Sequence, residues 1–324
     1  MISIRPAGQQ DLPLVCAYIR ELAEYERLAH EAVATTDDLH AALFGDQPKV
    51  FCELAESEGA PAGFALWFYT FSTFTGRPGI YLEDLYVRPE HRGHGAGRAL
   101  LTSLARRCAA EDLGRLEWAV LDWNAPSIAF YKSLGAAPLI DGTLYRLTGE
   151  ALHALGREAR PISSIGIRPA APEDSGLIHG FLRDFAESQK MAADLTATEE
   201  GLGAGLFAGR PRGFCEIAQW AGRPAGFADW IYSFSTFKGR HGIFLEDLYV
   251  RPQHRGLGLG RALLGELARR CVQEDLARLE WGVMDWNSPA IAFYESVGAR
   301  PMSDWTVYRL TGDALKALGQ EGDA

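Results

Sequence analysis

One phrase, IYLEDLYVRPEHRGHGAGRALL at residues 80–101, returns as IFLEDLYVRPQHRGLGLGRALL at residues 243–264, with 18 of 22 positions identical and an offset of 163. The offset also relates ISIRPA (2–7) to IGIRPA (165–170) and GFALWFYTFSTFTGR (63–77) to GFADWIYSFSTFKGR (226–240). RLEWAVLDWNAPSIAFYKSLGA (115–136) likewise returns as RLEWGVMDWNSPAIAFYESVGA (278–299), and LYRLTGEALHALG (144–156) as VYRLTGDALKALG (307–319). Repeats of about 20–50 residues stack as solenoids. A period of 163 residues is that of a whole domain, so this chain of 324 residues is one domain written twice. The repeats predict an N-terminal domain over 1–156, a linker over 157–164 and a C-terminal domain over 165–324. The linker, REARPISS, is where charge, Pro and Ser interrupt the pattern.

Within each copy the pattern predicts mixed α/β structure. ISIRPA is a short strand, QQDLPLVCAYIRELAEYERL has apolar positions at helical spacing, and TTDDLHAALF is a second helix with a Thr cap. FCELAE and GFALWFYTFSTF form a hairpin around a Gly/Pro turn. IYLEDLYV is a strand, RGHGAGRALLTSLARRCAAE a glycine loop entering a helix, and LEWAVLDW a strand. APSIAFYKSLG is a helix ended by glycine, and TLYRLTG is the last strand.

Composition narrows the function. The net charge of −10 divides as −6 over residues 1–160 and −4 over the rest, so neither half offers a basic field for nucleic acid. No apolar run approaches the ~20 residues of a membrane span, and the start lacks a signal-peptide pattern; a cytoplasmic protein is expected. Cys16, Cys52, Cys108, Cys215 and Cys271 form no CxxC pair and read as reduced core thiols. His91 and His254 stand in no ligand constellation, and no metal is expected.

The glycine phrase is an anion site in outline. Closely spaced glycines turn the backbone sharply and gather N–H groups in front of a helix N-terminus, where phosphate is the natural occupant. The spacing Gly93-x-Gly95-x-Gly97 is neither the dinucleotide GxGxxG nor a Walker loop, because no GK[ST] follows. A plain tight turn would account for the glycines alone.

Taken together, LAEYE, YLEDLYV, the RGxGxG loop and VLDWN…FY resemble, in order, the GNAT acetyltransferase superfamily and within it the diamine and thialysine N-acetyltransferase branch. The resemblance covers nearly the whole of copy one and implies two tandem GNAT domains. Each is expected to be an α/β (α+β) unit with a mixed, mostly antiparallel central sheet flanked by helices. It further implies acetyl-CoA as cosubstrate, a small-molecule amine as partner and transfer by direct attack. Arg92, Gly93, Gly95 and Gly97, with Arg255, Gly256, Gly258 and Gly260, are the implied pyrophosphate loops. The backbone of Leu85 and Leu248 is implied as donor to the acetyl oxygen, and that of Val87 and Val250 as partner of the pantetheine arm.

Each implied role stands beside a plainer one. Glu83 and Asp84, like Glu246 and Asp247, could be solvated carboxylates at a strand end; the resemblance makes each Glu the relay for the amine proton through water, and each Asp a contact for the substrate cation. Adjacent strand residues point to opposite faces, which favours divided roles. Asn124 and Asn287 precede Pro-containing helix starts and suit N-caps; the resemblance adds a contact to CoA. Tyr131 and Tyr294 are aromatics on amphipathic helices and suit core packing; the resemblance makes them general acids toward the CoA sulfur. Tyr145 and Tyr308 match an aromatic near the substrate, although core packing is the favoured reading.

Tyr25, Glu26, Phe74 and Phe237 complete the implied substrate set. FSTFTGR and FSTFKGR resemble the thialysine form, Ser-Thr-Trp-Lys-Gly-Arg, more than the Asp-Pro-Trp phrase of polyamine enzymes, with Phe in place of Trp. A lysine-like or thioether amine, or a diamine, is the expected acceptor. The copies diverge at the substrate end: Tyr25 and Glu26 become Ser188 and Gln189, and Leu66 becomes Asp229. An intramolecular pseudo-dimer of the two halves is expected. The alternative from another class is an acetyl-CoA-binding sensor or scaffold with one or both halves inactive.

Overall fold

The computed structural model describes residues 1–158 and 163–321, so residues 159–162 of the expected linker lie outside it. The first repeat runs β1 (Ile2–Pro6), α1 (Leu12–Tyr25), α2 (Thr36–Phe44), β2 (Val50–Ser57), β3 (Ala60–Ser72), β4 (Arg77–Val87), α3 (Ala96–Ala110), β5 (Arg115–Leu121), α4 (Ala125–Ser133), β6 (Ala137–Leu139), β7 (Gly142–Leu147) and α5 (Gly149–Arg157). The second runs β8 (Ile165–Pro169), α6 (Ser175–Ser188), α7 (Glu199–Phe207), β9 (Phe214–Trp220), β10 (Arg223–Ser235), β11 (Arg240–Val250), α8 (Leu259–Gln273), β12 (Leu279–Met284), α9 (Ser288–Ser296), β13 (Arg300–Pro301), β14 (Trp305–Thr311) and α10 (Gly312–Gln320). The expected helices and strands form. The Thr35 side chain caps α2 by accepting from the Asp38 N–H, as its TTDD sequence implied.

The strands form two seven-stranded sheets, but the sheets do not follow the sequence repeats. One has the order β1-β2-β3-β4-β5-β14-β6, the other β13-β7-β12-β11-β10-β9-β8. The last long strand of each repeat has crossed to the other sheet. β14 pairs antiparallel with β5 (Tyr308 opposite Trp118), and β7 pairs antiparallel with β12 (Tyr145 opposite Trp281). The helices follow their strands: α10 packs on α3 and α5 on α8. The boundaries at 156 and 165 therefore mark the repeats of the sequence, whereas each structural unit takes its closing strand and helix from the other repeat.

Three apolar clusters hold this arrangement. One lies between sheet one and α3, and takes Tyr308, Leu310, Leu315 and Leu318 from the far end of the chain. Its mirror around α8 takes Tyr145, Leu147, Leu152 and Leu155 from the first repeat. The third joins the other faces of both sheets with α1, α2, α6 and α7 into one core. The two halves thus bury apolar surface jointly, the arrangement expected of an obligate pair.

Candidate active site

The β4 register locates the site. Against β3, Leu66 faces Asp84 and Trp67 faces Leu82, so Glu83 has no opposite number and forms a β-bulge. β11 does the same: Asp229 faces Asp247, Trp230 faces Leu245, and Glu246 is the extra residue. The bulge reverses the alternation of faces. Ile80 and Leu82 pack on the α3 side before it, Leu85 and Val87 after it, while Tyr81 and Tyr86 pack on the other side. Glu83 and Asp84 therefore share the face toward the other half, and both line a cavity of about 1930 Å³ between the halves. The expectation that neighbouring strand residues divide between faces fails here for this reason.

Each acid pair is held by the opposite repeat. Arg278 donates to Glu83 at 3.0 Å, and Arg115 to Glu246 at 2.9 Å. Arg278 is also paired with Glu280 (2.6 Å), which meets Arg146 of the crossed strand β7 (2.6 Å). The mirror chain runs through Arg115, Glu117 (2.6 Å) and Arg309 of β14 (2.7 Å). Thr73 donates to Asp247 at 2.5 Å, and Thr236 hydrogen-bonds Asp84. Burial dominates the titration of these acids: it pushes Asp84 well up and Glu83 up against the opposing pull of Arg278, and lifts Glu246 to about 7 and Asp247 to about 6. A carboxyl near 7 is matched to proton exchange at neutral pH.

Beside the bulge the sheet opens. β4 pairs with the parallel strand β5 only at Ile80–Leu116 and Tyr81–Glu117, so its edge from Leu82 to Val87 has no strand partner on that side. β11 and β12 part after Leu245–Trp281. Leu85, Val87, Leu248 and the loop glycines Gly93, Gly95 and Gly97 line the same cavity. Gly93 and Gly95 have φ of 77° and 92°, and a methyl group at either would meet nothing within 4 Å. Gly256 and Gly258 repeat these angles at 74° and 92°. The loops thus present bare backbone at the starts of α3 and α8, whose first-turn N–H groups lack intrahelical acceptors. Arg92 is tied back to the Val87 carbonyl (2.9 Å), with its guanidinium over Tyr25, and Arg255 to Val250 (3.0 Å).

The remaining residues fall into place around the acids. Tyr131 is buried against Trp118, and Tyr294 against Trp281, with ring centroids 4.8 Å apart in both pairs. Burial raises both phenols, which therefore keep their protons at neutral pH. Asn124 caps α4 through Ser127 N–H (3.3 Å) and also accepts from Tyr25 Oη (3.0 Å). Asn287 caps α9 through Ala290 N–H (3.3 Å). The strand crossing exchanges the closing-strand tyrosines between the halves: Tyr308 packs on Tyr131 of site one and Tyr145 on Tyr294 of site two, all within core clusters. The hairpin tips cross as well. The Phe74 ring meets Phe185 of α6 (6.2 Å), and the Phe237 carbonyl accepts from Val33 and Ala34 N–H, so each Phe stands at the mouth of the opposite site.

Residues 16–136 and 178–299 both match the model of the acetyltransferase (GNAT) family. The chain belongs to this family. Both matches stop before the crossed strands begin. Thialysine N-epsilon-acetyltransferase of Bos taurus is 37% identical over 165 residues, which are 48% of this chain and 96% of that protein. L-ornithine N5-acetyltransferase of Arabidopsis thaliana is 31% identical over 199 residues, covering 48% of this chain and 87% of its own. Such relatives correspond in extent to about one repeat. A tandem GNAT protein from the clavulanic acid biosynthesis pathway shares the fold, with a TM-score of 0.51 at 18% identity and coverage of 96% of this chain and 98% of its own. With two matches to the family, the present chain is an acyltransferase of tandem architecture, and acetyltransferases of its family generally use acetyl-CoA.

Among the described residues, no helix is long and apolar enough to cross a membrane, and no three His, Cys, Asp or Glu stand together to hold a metal ion. The five cysteines are free and buried. Sequence reasoning missed Arg115, Arg278, Thr73 and Thr236 as parts of the site, because each reaches the acids of the other repeat. One signal for the bulge was available: the inward apolar positions 80, 82, 85 and 87 step by three residues once, at the acid pair.

Proposed function

We propose that each half transfers the acetyl group of acetyl-CoA to a primary amine of a small molecule, a lysine-like or thioether amine or a diamine. The observation that carries this reading is the bulge, which sets two carboxyls beside an opened strand edge and a bare glycine loop in one cavity. The loop from Arg92 to Gly97, with its mirror from Arg255 to Gly260, suits the pyrophosphate, and the free edges of β4 and β11 suit the pantetheine arm. Asn124 and Asn287 would border the thiol end.

An amine of pKa near 10 is protonated at neutral pH, and freeing its lone pair at pH 7 costs about 4 kcal/mol. Glu83, raised by burial against the pull of Arg278, and Glu246, raised to about 7, take that proton through water, while Asp84 and Asp247 hold the cation in place. The amine adds to the thioester carbonyl, the N–C bond forming as the C=O electrons move to oxygen, and the tetrahedral oxyanion collapses with cleavage of the C–S bond. Tyr131 or Tyr294 gives its proton to the departing thiolate and takes up the proton that the nitrogen sheds as the amide forms. Backbone N–H groups at Leu85 and Leu248 suit the developing oxyanion.

The test is amine-dependent CoA release with thialysine, lysine, ornithine and putrescine, for wild type, Tyr131→Phe and Tyr294→Phe. Two working sites give turnover that each substitution lowers in part, and both together lower by about 10²-fold or more. Acetyl-CoA binding with no release on any amine would overturn the reading in favour of a sensing module.

A further inference from the structure

The two sites have the same acid pair but differ in a third carboxyl. In site one it is Glu26, at the C-terminal end of α1 and lining the cavity. Its carboxylate makes no hydrogen bond or ion pair among the described residues, and it stands close enough to Glu83 to feel its charge. Asp84 Oδ2 nearby is buried and has no donor, because its cross-strand neighbour is Leu66. Glu31 at the same mouth is neutralised by Lys238 of the second repeat at 2.6 Å. Site one thus offers an approaching cation two unsatisfied acceptors at different places.

Site two has Gln189 where Glu26 stands, and its third carboxyl is Asp229. Asp229 is 2% exposed, absent from the cavity lining, and opposite Asp247 in the sheet; it is hydrogen-bonded to Asp247, and its own Oδ1 is buried without a donor but, unlike Asp84 Oδ2, belongs to a residue that does not line the cavity. Two buried carboxyls in hydrogen-bond contact carry one proton between them and hence one negative charge. That charge is already met by Thr73 and Asp229 itself. Asp194, the counterpart of Glu31, is exposed and outside the cavity lining. Site two therefore presents one compact anionic seat, with the Gln189 amide where site one has the Glu26 carboxyl.

We infer that the two halves divide amines by charge: site one takes amines that carry a second cationic group, which Glu26 receives, and site two takes amines with a single cation. Asp229 is a positioning residue that keeps the floor of site two singly charged. The inference rests on the acetyltransferase reading for its turnover assay alone, since the division is equally a property of amine binding.

The experiment compares putrescine with n-butylamine, equal in carbon number and different by one charge. In the full chain with Tyr294→Phe, kcat/KM favours putrescine by about tenfold, and adding Glu26→Gln removes the preference. In the full chain with Tyr131→Phe the ratio stays near one, and adding Gln189→Glu raises it. Calorimetric titration of both amines into the CoA-loaded wild type, Glu26→Gln and Glu26→Gln/Gln189→Glu chains reads the same division without turnover. Equal putrescine-to-butylamine ratios in the two halves, by rate and by affinity, overturn the division. The affinity difference without CoA release at either site upholds it and overturns the acetyltransferase reading instead.

Discussion

Site one and site two are alike at the acid pairs, which the opposite repeat holds, and differ at the third carboxyl. Glu83 and Glu246 sit in the same bulge, against Arg278 and Arg115 respectively, at 3.0 and 2.9 Å. A change in any of these residues would disturb a contact between the halves, and the arginine also holds the next ion pair in line. By contrast, Glu26, Ser188, Gln189 and Asp229 face the cavity, solvent or their own repeat, and there the copies have diverged. The comparison separates the arginine-held frame at the acid pairs, which is the same in both halves, from the rim, where the contact of Lys238 with Glu31 falls on Thr75 and Asp194 in the mirror.

The largest effect should come from breaking the frame on one side. Arg278→Ala leaves Glu83 and Glu280 buried without their common cation, and is expected to cost about 3–5 kcal/mol in denaturant unfolding. Part of this should return when Glu83→Gln is added. Before unfolding intervenes, site-one turnover should fall further than site-two turnover; equal loss at both would show that the frame acts only through global stability.

Packing at the shared core gives the next test. A methyl group on Gly205 of α7 would fall 2.0 Å from the Phe71 ring, whereas the mirror position is already Ala42. Gly205→Ala should therefore destabilise by about 1–3 kcal/mol, and Phe71→Leu should relieve it. A neutral Gly205→Ala in thermal melts would mean that the two sides of the core are more alike than their residues suggest.

Smaller shifts should appear in pH profiles. Burial raises Asp247 to about 6 even though the hydrogen bonds from Thr73 and Asp229 lower it. Asp229→Leu removes the second of these bonds, Asp247 climbs, and the acid limb of site-two kcat/KM should move to higher pH in a Tyr131→Phe background. Site one supplies the opposite sharpening. Burial and Glu83 lift Glu26 to about 7, and the groups facing it are Glu83, with its partner Arg278, Asp84 and Tyr131. A second ammonium favours ionised Glu26, so the preference for putrescine should grow from pH 6 to pH 8 while both amines stay protonated. The smallest effect is that of Tyr25→Phe, which removes the hydroxyl donated to Asn124 and should cost about 1 kcal/mol. Nothing comparable should follow at Ser188, which makes no bond to Asn287.

The sequence disclosed the local structure and the chemistry of the acid pair because both are written within one repeat. The glycine loop, the capped helices and the strand phrases all depend on neighbours within a few residues. The bulge left only a single three-residue step in an otherwise alternating pattern. The crossing of β7 and β14 left no local trace, since LYRLTG and VYRLTG suit either sheet equally well. Arg278 and Arg115 stayed hidden for a related reason. Within its own repeat each arginine pairs with the glutamate two residues on, and its role at the acid pair depends on a partner in the other repeat.

The crossed strands also set an order of events during synthesis. When β5 leaves the ribosome, its final neighbour β14 is still unmade, and at ordinary translation rates the delay is on the order of ten seconds or more. Through that interval the nascent chain carries an open sheet edge, and the strand nearest to hand is β7, whose sequence suits the slot. The early competitor is therefore a closed first half that must reopen before the second can finish. Between chains, the same edge invites one molecule to complete another. Strand exchange within this protein and runaway linkage among many copies are rival outcomes of one pairing rule, decided by concentration.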